Sequence, residues 1–287
     1  MRALLVLLSF LLATPAVART RAVASRIDLA SKILVITAHP DDEVLIAPLL
    51  ANRCIRGGAD CAIVVMTTGN AAGLGETRIH EMLQSAALLH LRLTQWNFPD
   101  VMSGFDELWA RNQLAEVIAA EQPDLILTFD PRHGTTCHPA HREVGRLVLA
   151  TGAKNVFLIE TAARFIGNGF ELRNAAPLSW TFVANDDWQY AARVAEIHAT
   201  QFSAEQVESL RNLPSEQRRV WFAPAGSPTT DICGTPVSSL PETAAGRRRS
   251  ETPARFHGAN VVQNARRCPP RFPIATFAIR STCSCTS

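Results

Sequence analysis

The stretch Ile33-Leu34-Val35-Ile36-Thr37-Ala38-His39-Pro40-Asp41-Asp42-Glu43 decides the reading of this chain. Its first six residues form an almost unbroken apolar, β-branched run. That is the pattern of a strand covered on both faces of a parallel sheet. The text then changes to a histidine, a proline and three consecutive acids. A helix from Glu43 to Arg56 follows from the pattern, stopped by Gly57-Gly58.

The alternation repeats downstream. Ala62 to Thr67 reads as a second buried strand opening into Thr68-Gly69-Asn70. Glu76 to His90 has helical periodicity, Thr94 to Phe98 is a weaker strand, and Asp106 to Ala120 is a helix closed by Pro123. Leu125 to Phe129 is another apolar strand, Pro139 to Ala150 a helix, and Val156 to Ile159 a further strand. Strands and helices alternating over short connections imply a layered α/β domain with a mainly parallel sheet. Ligands bind such sheets where loops leave the carboxyl ends of the strands, and the polar clusters of this chain follow its strands. Beyond Ile159 the pattern weakens, leaving helices expected at Asp187 to Gln201 and Ala204 to Leu210.

The two ends of the 287-residue chain differ from its body. Arg2, the apolar run Ala3 to Leu12 and the small-x-small Ala16-Val17-Ala18 read as an export signal over residues 1–18, or as a short uncleaved anchor. An exported protein, periplasmic or extracellular, is therefore expected. From Pro241 onward eight Arg outweigh two Glu, so this end is +6 while the rest of a chain of net charge +2 is −4. Residues 223–287 read as a loose basic tail in which Ile274 to Ile279 is the one short strand candidate. The seven cysteines match no zinc-binding spacing, and ordinary thiols are expected rather than a disulfide framework.

Two clusters carry chemistry. In the first, adjacent carboxylates Asp41 and Asp42 repel one another unless a cation relieves them, the bland alternative being helix capping. In the second, His138 and His141 flank the start of a helix at a spacing that lets them face the same way, with Pro139 at its first position. Surface histidines are the alternative there. Parallel topology brings both clusters to one edge of the sheet. Catalytic zinc typically takes three protein ligands and keeps one position for water, so two histidines and a carboxylate fit, with a further carboxylate to take the proton. Asp130 is read as a partner orienting a ligand histidine or as a turn residue. His133 lies near the site, Cys137 is expected to be a packed thiol, and His198 a core residue. No Gly-rich phosphate loop follows the first strand, which argues against a nucleotide domain, and no nucleic-acid partner is expected.

The sequence resembles the PIG-L/LmbE-like family of zinc-dependent N-acetylglucosaminyl deacetylases. The resemblance rests on Ala38-His39-Pro40-Asp41-Asp42-Glu43, Thr67-Thr68-Gly69-Asn70, Gly75-Glu76-Thr77-Arg78 with Glu81, and His138-Pro139-Ala140-His141. It covers about Lys32 to Phe222, with a domain over residues 30–222. It implies a Rossmann-like three-layer fold and hydrolysis of the acetamide of an N-acetylglucosamine-containing glycoconjugate. It implies Zn2+ held by His39, Asp42 and His141, with Asp41 as general base and His138 as acid or oxyanion stabiliser. It implies Arg78 as a substrate contact, against a salt bridge with Glu81, and Asp100 as a sugar-hydroxyl partner. Ala140 departs from the acidic or amide residue frequent there, which puts the basicity of His138 in question. A zinc amidase for another small amide and a non-catalytic sugar-binding protein on the same scaffold are the competing readings.

Overall fold

The computed structural model describes residues 26–166, 169–230, 232–233 and 262–263. The expected export signal, the strand at Ile274 to Ile279 and most of the basic tail lie outside these residues. Strand β1 (Lys32–Thr37) is followed by the 3-10 turn Asp42–Leu45 and helix α1 (Ala47–Leu50), which runs on as a π-helical turn, Ala51–Arg56. Then come β2 (Asp60–Thr67), α2 (Gly75–Leu88), β3 (Leu91–Phe98), α3 (Glu107–Glu121), β4 (Leu125–Phe129), α4 (Pro139–Ala150) and β5 (Val156–Ile159).

Five strands run parallel in the order β3-β2-β1-β4-β5. Chain progress reverses between β1 and β4. That reversal leaves a crevice at the carboxyl ends of those two strands, where neighbouring connections depart to opposite faces. The strands' apolar runs are buried throughout, with Val35, Ile63 and Leu127 at 0% exposure, because helices cover both sides. Helix α3 packs against α4, while α1 and α2 pack with a later helix, α5 (Gln189–Ile197).

Beyond Ile159 the chain holds more strand than its patterning suggested. A hairpin of β6 (Thr161–Ile166) and β7 (Gly169–Asn174) stands apart as a second sheet. Strands β8 (Trp180–Val183) and β9 (Arg219–Pro224) extend the main sheet antiparallel beyond β5. At the opposite edge the two-residue strand β10 (Val262–Gln263) pairs antiparallel with β3. Helix α6 (Ala204–Arg211) begins with a capping box of Ser203 and Gln206.

Two expectations are corrected. The tail does not begin loose at Ala223. Strand β9 runs to Pro224, Ala225 N–H donates to Val156, and Thr230 N–H donates to Ala175. The four cysteines among the described residues are not ordinary thiols either: Cys54 pairs with Cys61, and Cys137 with Cys233 across 96 residues of sequence. Spacing alone carries no information about a partner that distant.

Candidate metal centre

The end of β1 and the loop after β4 meet at the crevice. His39 Nδ1 lies 3.3 Å from His141 Nε2. Asp42 Oδ1 lies 3.0 Å from His141 Nε2, and its Oδ2 lies 4.0 Å from His39 Nδ1. The three side chains expected to share an ion therefore converge.

Their tautomers are set from behind. His39 Nε2 is 2.8 Å from the Asp100 carbonyl, and His141 Nδ1 is 2.9 Å from the Gly134 carbonyl. A carbonyl only accepts, so these nitrogens carry the protons. In the neutral rings His39 Nδ1 and His141 Nε2 then face each other as bare lone pairs. A shared proton or a metal cation resolves that contact, and carbonyl-anchored imidazoles are the usual support of metal ligands. Asp42 is held by N–H donors from Ala38 and His39 at 2.9 and 2.7 Å. Burial works to raise its pKa, but His141 and His39 together hold it below the ordinary value. Burial likewise works to lower the pKa of His141, and Asp42 outweighs it, so positive charge is favoured at this point. Phe129 stacks on His141, with ring centroids 4.3 Å apart.

His138 lies beside the pair, its ring 5.0 Å from His39 and 4.9 Å from His141. Each of the three imidazoles offers a nitrogen within 4.8 Å of the others. His138 is nonetheless a poor third ligand. As N-cap of α4 its Nδ1 accepts from Ala140 N–H at 3.3 Å, which places the proton on Nε2. Burial and the neighbouring histidines lower its pKa to about 4. Ala140 has no polar side chain to support this ring, and its backbone amide, donating to Nδ1, opposes protonation.

Asp41 adopts φ 115°, a conformation rare outside glycine. Its N–H donates to Glu43 Oε2 at 3.2 Å, and its carboxylate meets Arg78 at 3.3 Å. Burial and the adjacent Asp42 charge push its pKa up to about 7, against the pull of Arg78. Glu43 is itself locked: Oε1 accepts from Ser85 Oγ at 2.5 Å and lies 2.6 Å from His198 Nε2, with Glu43 and His198 both fully buried. His198 is thus more than core filling. Its pairing with Glu43 is what sequence reading missed, and the final Glu of the acidic run was the available signal.

Arg78 does not pair with Glu81, which accepts instead from Thr200. Its guanidinium donates to the Gly69 carbonyl at 3.2 Å and to the Pro40 carbonyl, and meets Asp41. Gly69, at φ 69°, is required there, since a Cβ would fall 2.4 Å from Arg78 Cζ. Asp100 reaches the site through its carbonyl on His39, while its carboxylate caps Ala71 N–H.

A second buried cluster, Asp130, His133 and Glu160, also offers converging ligand atoms. Asp130 does not reach a ligand histidine. It takes Arg132 through Nε at 2.9 and 3.0 Å, while His133 Nδ1 accepts from Thr135 N–H and its Nε2 pairs with Glu160 at 3.0 Å. A guanidinium supplies the positive charge here. Cys137 likewise serves this loop as half of a disulfide, not as a packed thiol or a ligand.

The chain is similar to known proteins in sequence and in fold. Residues 34–151 match the family described as GlcNAc-PI de-N-acetylase, PIG-L. The N-acetylglucosaminyl-phosphatidylinositol de-N-acetylase of Saccharomyces cerevisiae is 34% identical over 123 residues, 39% of this chain and only 40% of that protein's length. The 1D-myo-inositol 2-acetamido-2-deoxy-alpha-D-glucopyranoside deacetylase of Corynebacterium efficiens is 24% identical, covering 70% of this chain and 76% of its own. Among solved structures, the N,N'-diacetylchitobiose deacetylase of Pyrococcus horikoshii superposes with a TM-score of 0.56 at 20% identity. That match covers 69% of this chain and 85% of the archaeal one, and it speaks for the fold. The matched segment spans both His39-Pro40-Asp41-Asp42 and His138-Pro139-Ala140-His141, so the similarity to the PIG-L family takes in both loops of the candidate centre.

Proposed function

We propose that this protein is a zinc-dependent N-deacetylase that hydrolyses the acetamide of an N-acetylglucosamine-containing glycoconjugate, and that it works outside the cytoplasm. The observation that carries the reading is the meeting of His39 Nδ1, His141 Nε2 and Asp42 with both imidazoles anchored on carbonyls. Two nitrogens and a carboxylate oxygen suit zinc and leave a position open. The names of the relatives, which carry acetylated glucosamine on inositol, on phosphatidylinositol or in chitobiose, support the substrate class.

When bound, zinc would supply a Lewis acid for the acetamide carbonyl and a water made acidic enough to lose its proton near neutrality. The residues of this chain supply the rest. Asp41, with a carboxylate oriented by Arg78 and a backbone fixed by Glu43, accepts the proton of the attacking water. His138, neutral with its proton on Nε2, donates a hydrogen bond to the oxygen that gains charge. The proton held by Asp41 passes to the departing nitrogen, so water and amide become acetate and free amine. His138 is then an oxyanion stabiliser rather than the acid.

The apolar N-terminal run and two disulfides both favour an oxidising compartment, where such bonds persist. The test is metal analysis of purified protein beside an amine-release assay on GlcNAc conjugates. We expect about one zinc per chain, and release abolished by chelation and restored by zinc. Metal-free protein that still releases amine, or zinc-loaded protein that releases none, sinks the proposal.

A further inference from the structure

The buried pair of His133 and Glu160 has no part in the chemistry above, yet it lies one peptide away from the metal centre. Glu160 sits between β5 and β6. Its Oε2 accepts from His133 Nε2 at 3.0 Å and from Thr229 Oγ1 at 3.1 Å. On the other side of the ring, His133 Nδ1 accepts the Thr135 N–H at 3.1 Å and so carries no proton. With its proton on Nε2, His133 is not available as a ligand, and this cluster holds no ion of its own through that ring.

The Thr135 N–H belongs to the same peptide unit as the Gly134 carbonyl. In a planar trans peptide the two groups point opposite ways. The carbonyl meets His141 Nδ1 at 2.9 Å. One peptide plane therefore stands between two imidazoles, held at its N–H by His133 and at its oxygen by His141. Gly134, at φ 54°, admits this close approach, since a Cβ there would fall 2.8 Å from His141 Cβ. The orientation is not the one the backbone prefers. Thr135 sits at φ 62° and ψ −41°, and a positive φ on a β-branched residue is a genuine outlier. Such strain persists only where the surroundings over-determine it. Turning the peptide over would return Thr135 to negative φ, but it would also aim an N–H at His141 Nδ1. Two donors cannot pair, so the ring proton of His141 would move to Nε2, the nitrogen that faces His39 and Asp42. An imidazole nitrogen binds a cation only without its proton.

We propose that His133 and Glu160 are positioning residues that select the metal-binding tautomer of His141, by holding the Gly134–Thr135 peptide against its backbone preference. The proposal rests on the metal centre of the deacetylase reading and adds residues that reach it only through a peptide. Its test reads zinc affinity by chelator competition on the full chain for wild type, His133→Leu and His133→Asn, with thermal melting to confirm folding. Leucine removes the acceptor, whereas asparagine offers a carbonyl oxygen near the place of Nδ1. His133→Leu should weaken zinc binding about 10–100-fold, the usual cost of losing an outer partner of a metal ligand, and His133→Asn should recover most of that loss. Unchanged affinity in His133→Leu, or an equal loss in both folded variants, overturns the proposal. Nitrogen-15 NMR of the wild type decides it even where neither variant folds. His133 should show its proton on Nε2 and a coupling through the hydrogen bond between Thr135 N and His133 Nδ1. A proton on Nδ1, or no coupling, overturns it. Neither readout uses turnover, so a chain that binds zinc in this way but releases no amine sinks the deacetylase reading alone. Wild type that binds no zinc overturns both.

Discussion

Asp41 is the residue at which backbone, charge and chemistry meet. It sits at φ 115° because three neighbours fix it: Asp42 turned toward the histidines, Glu43 holding its N–H, and Arg78 on its carboxylate. Replacing it with Asn should cost roughly 10²–10⁴-fold in kcat, the usual worth of a positioned proton acceptor, while zinc content stays at the wild-type level. Loss of zinc along with turnover would make Asp41 a ligand instead. A base works deprotonated, so kcat/KM should climb with pH through the pKa of Asp41. In the metal-free chain that pKa is pushed up to about 7 by burial and by Asp42, and a bound cation lowers it. The acid limb should therefore fall below pH 7. Arg78 pulls the same group down, so Arg78→Gln should move the limb to higher pH. A limb that stays put would show that Asp41 is not the titrating group. The acidic run and HxxH were legible in the sequence at this scale. The carbonyls of Asp100 and Gly134 were not, because every residue has a carbonyl and only folding aims one at an imidazole.

At the scale of elements, two contacts hold the loops of the candidate centre in register. Helix α4 crosses the end of β4 at Gly145, where a Cβ would lie 2.3 Å from the Phe129 carbonyl oxygen. Alanine is the better helix former by about 1 kcal/mol, but overpacking against backbone costs about 1–3 kcal/mol, so the clash wins. Gly145→Ala should lower stability in urea titration and weaken zinc binding, because His138 and His141 ride on the first turns of that helix. A variant of unchanged midpoint and zinc affinity would mean that the helix shifts freely. The second contact joins the turn after β1 to α2 and to the residue following α5 through Glu43, Ser85 and His198. Breaking a buried pair by removing one partner costs about 3–5 kcal/mol, and His198→Gln should fall in that range. Burial opposes the charged form of both groups, but each charge holds the other. Glu43 lies below its ordinary 4.5 and His198 above its ordinary 6.5. The depressed Glu43 contributes fully above pH 4.5 and loses that as pH falls through its folded pKa. The raised His198 contributes fully below pH 6.5 and loses that as pH rises through its own. The penalty of His198→Gln should thus be largest between those values and shrink in alkali. Denaturation at about pH 5.5 and again at strongly alkaline pH checks it, and equal penalties would refute the pairing as its source. Helices and parallel strands up to Ile159 were legible from periodicity, whereas β6 to β9 were not. Those strands are short and mixed in polarity, and their burial depends on where the chain turns back.

At the scale of the molecule, the Cys137–Cys233 bridge ties the segment following β9 to the residue just before His138. Chain-entropy arguments assign a loop of 96 residues about 4.7 kcal/mol, roughly twice what the Cys54–Cys61 bridge closes. Cys233→Ser should accordingly lower the melting temperature more than Cys54→Ser does. It should also depress kcat more than zinc affinity, since the bridge borders His138 while His141 is anchored separately on Gly134. Equal losses of kcat and zinc affinity would place the bridge's effect on the whole site. Among the described residues no helix is long and apolar enough to cross a membrane.

The order of apolar runs and helical stretches was enough to determine a parallel α/β sheet with chemistry at its carboxyl edge. Burial on two faces leaves a signature in local composition, and a carboxylate pair beside a strand end is costly without a cation. The meeting of His39 with His141, the partner of Cys137, the service of His198 to Glu43 and the pairing of His133 with Glu160 were decided only in three dimensions. Each joins atoms far apart along the chain, and periodicity reports only how a residue relates to its near neighbours.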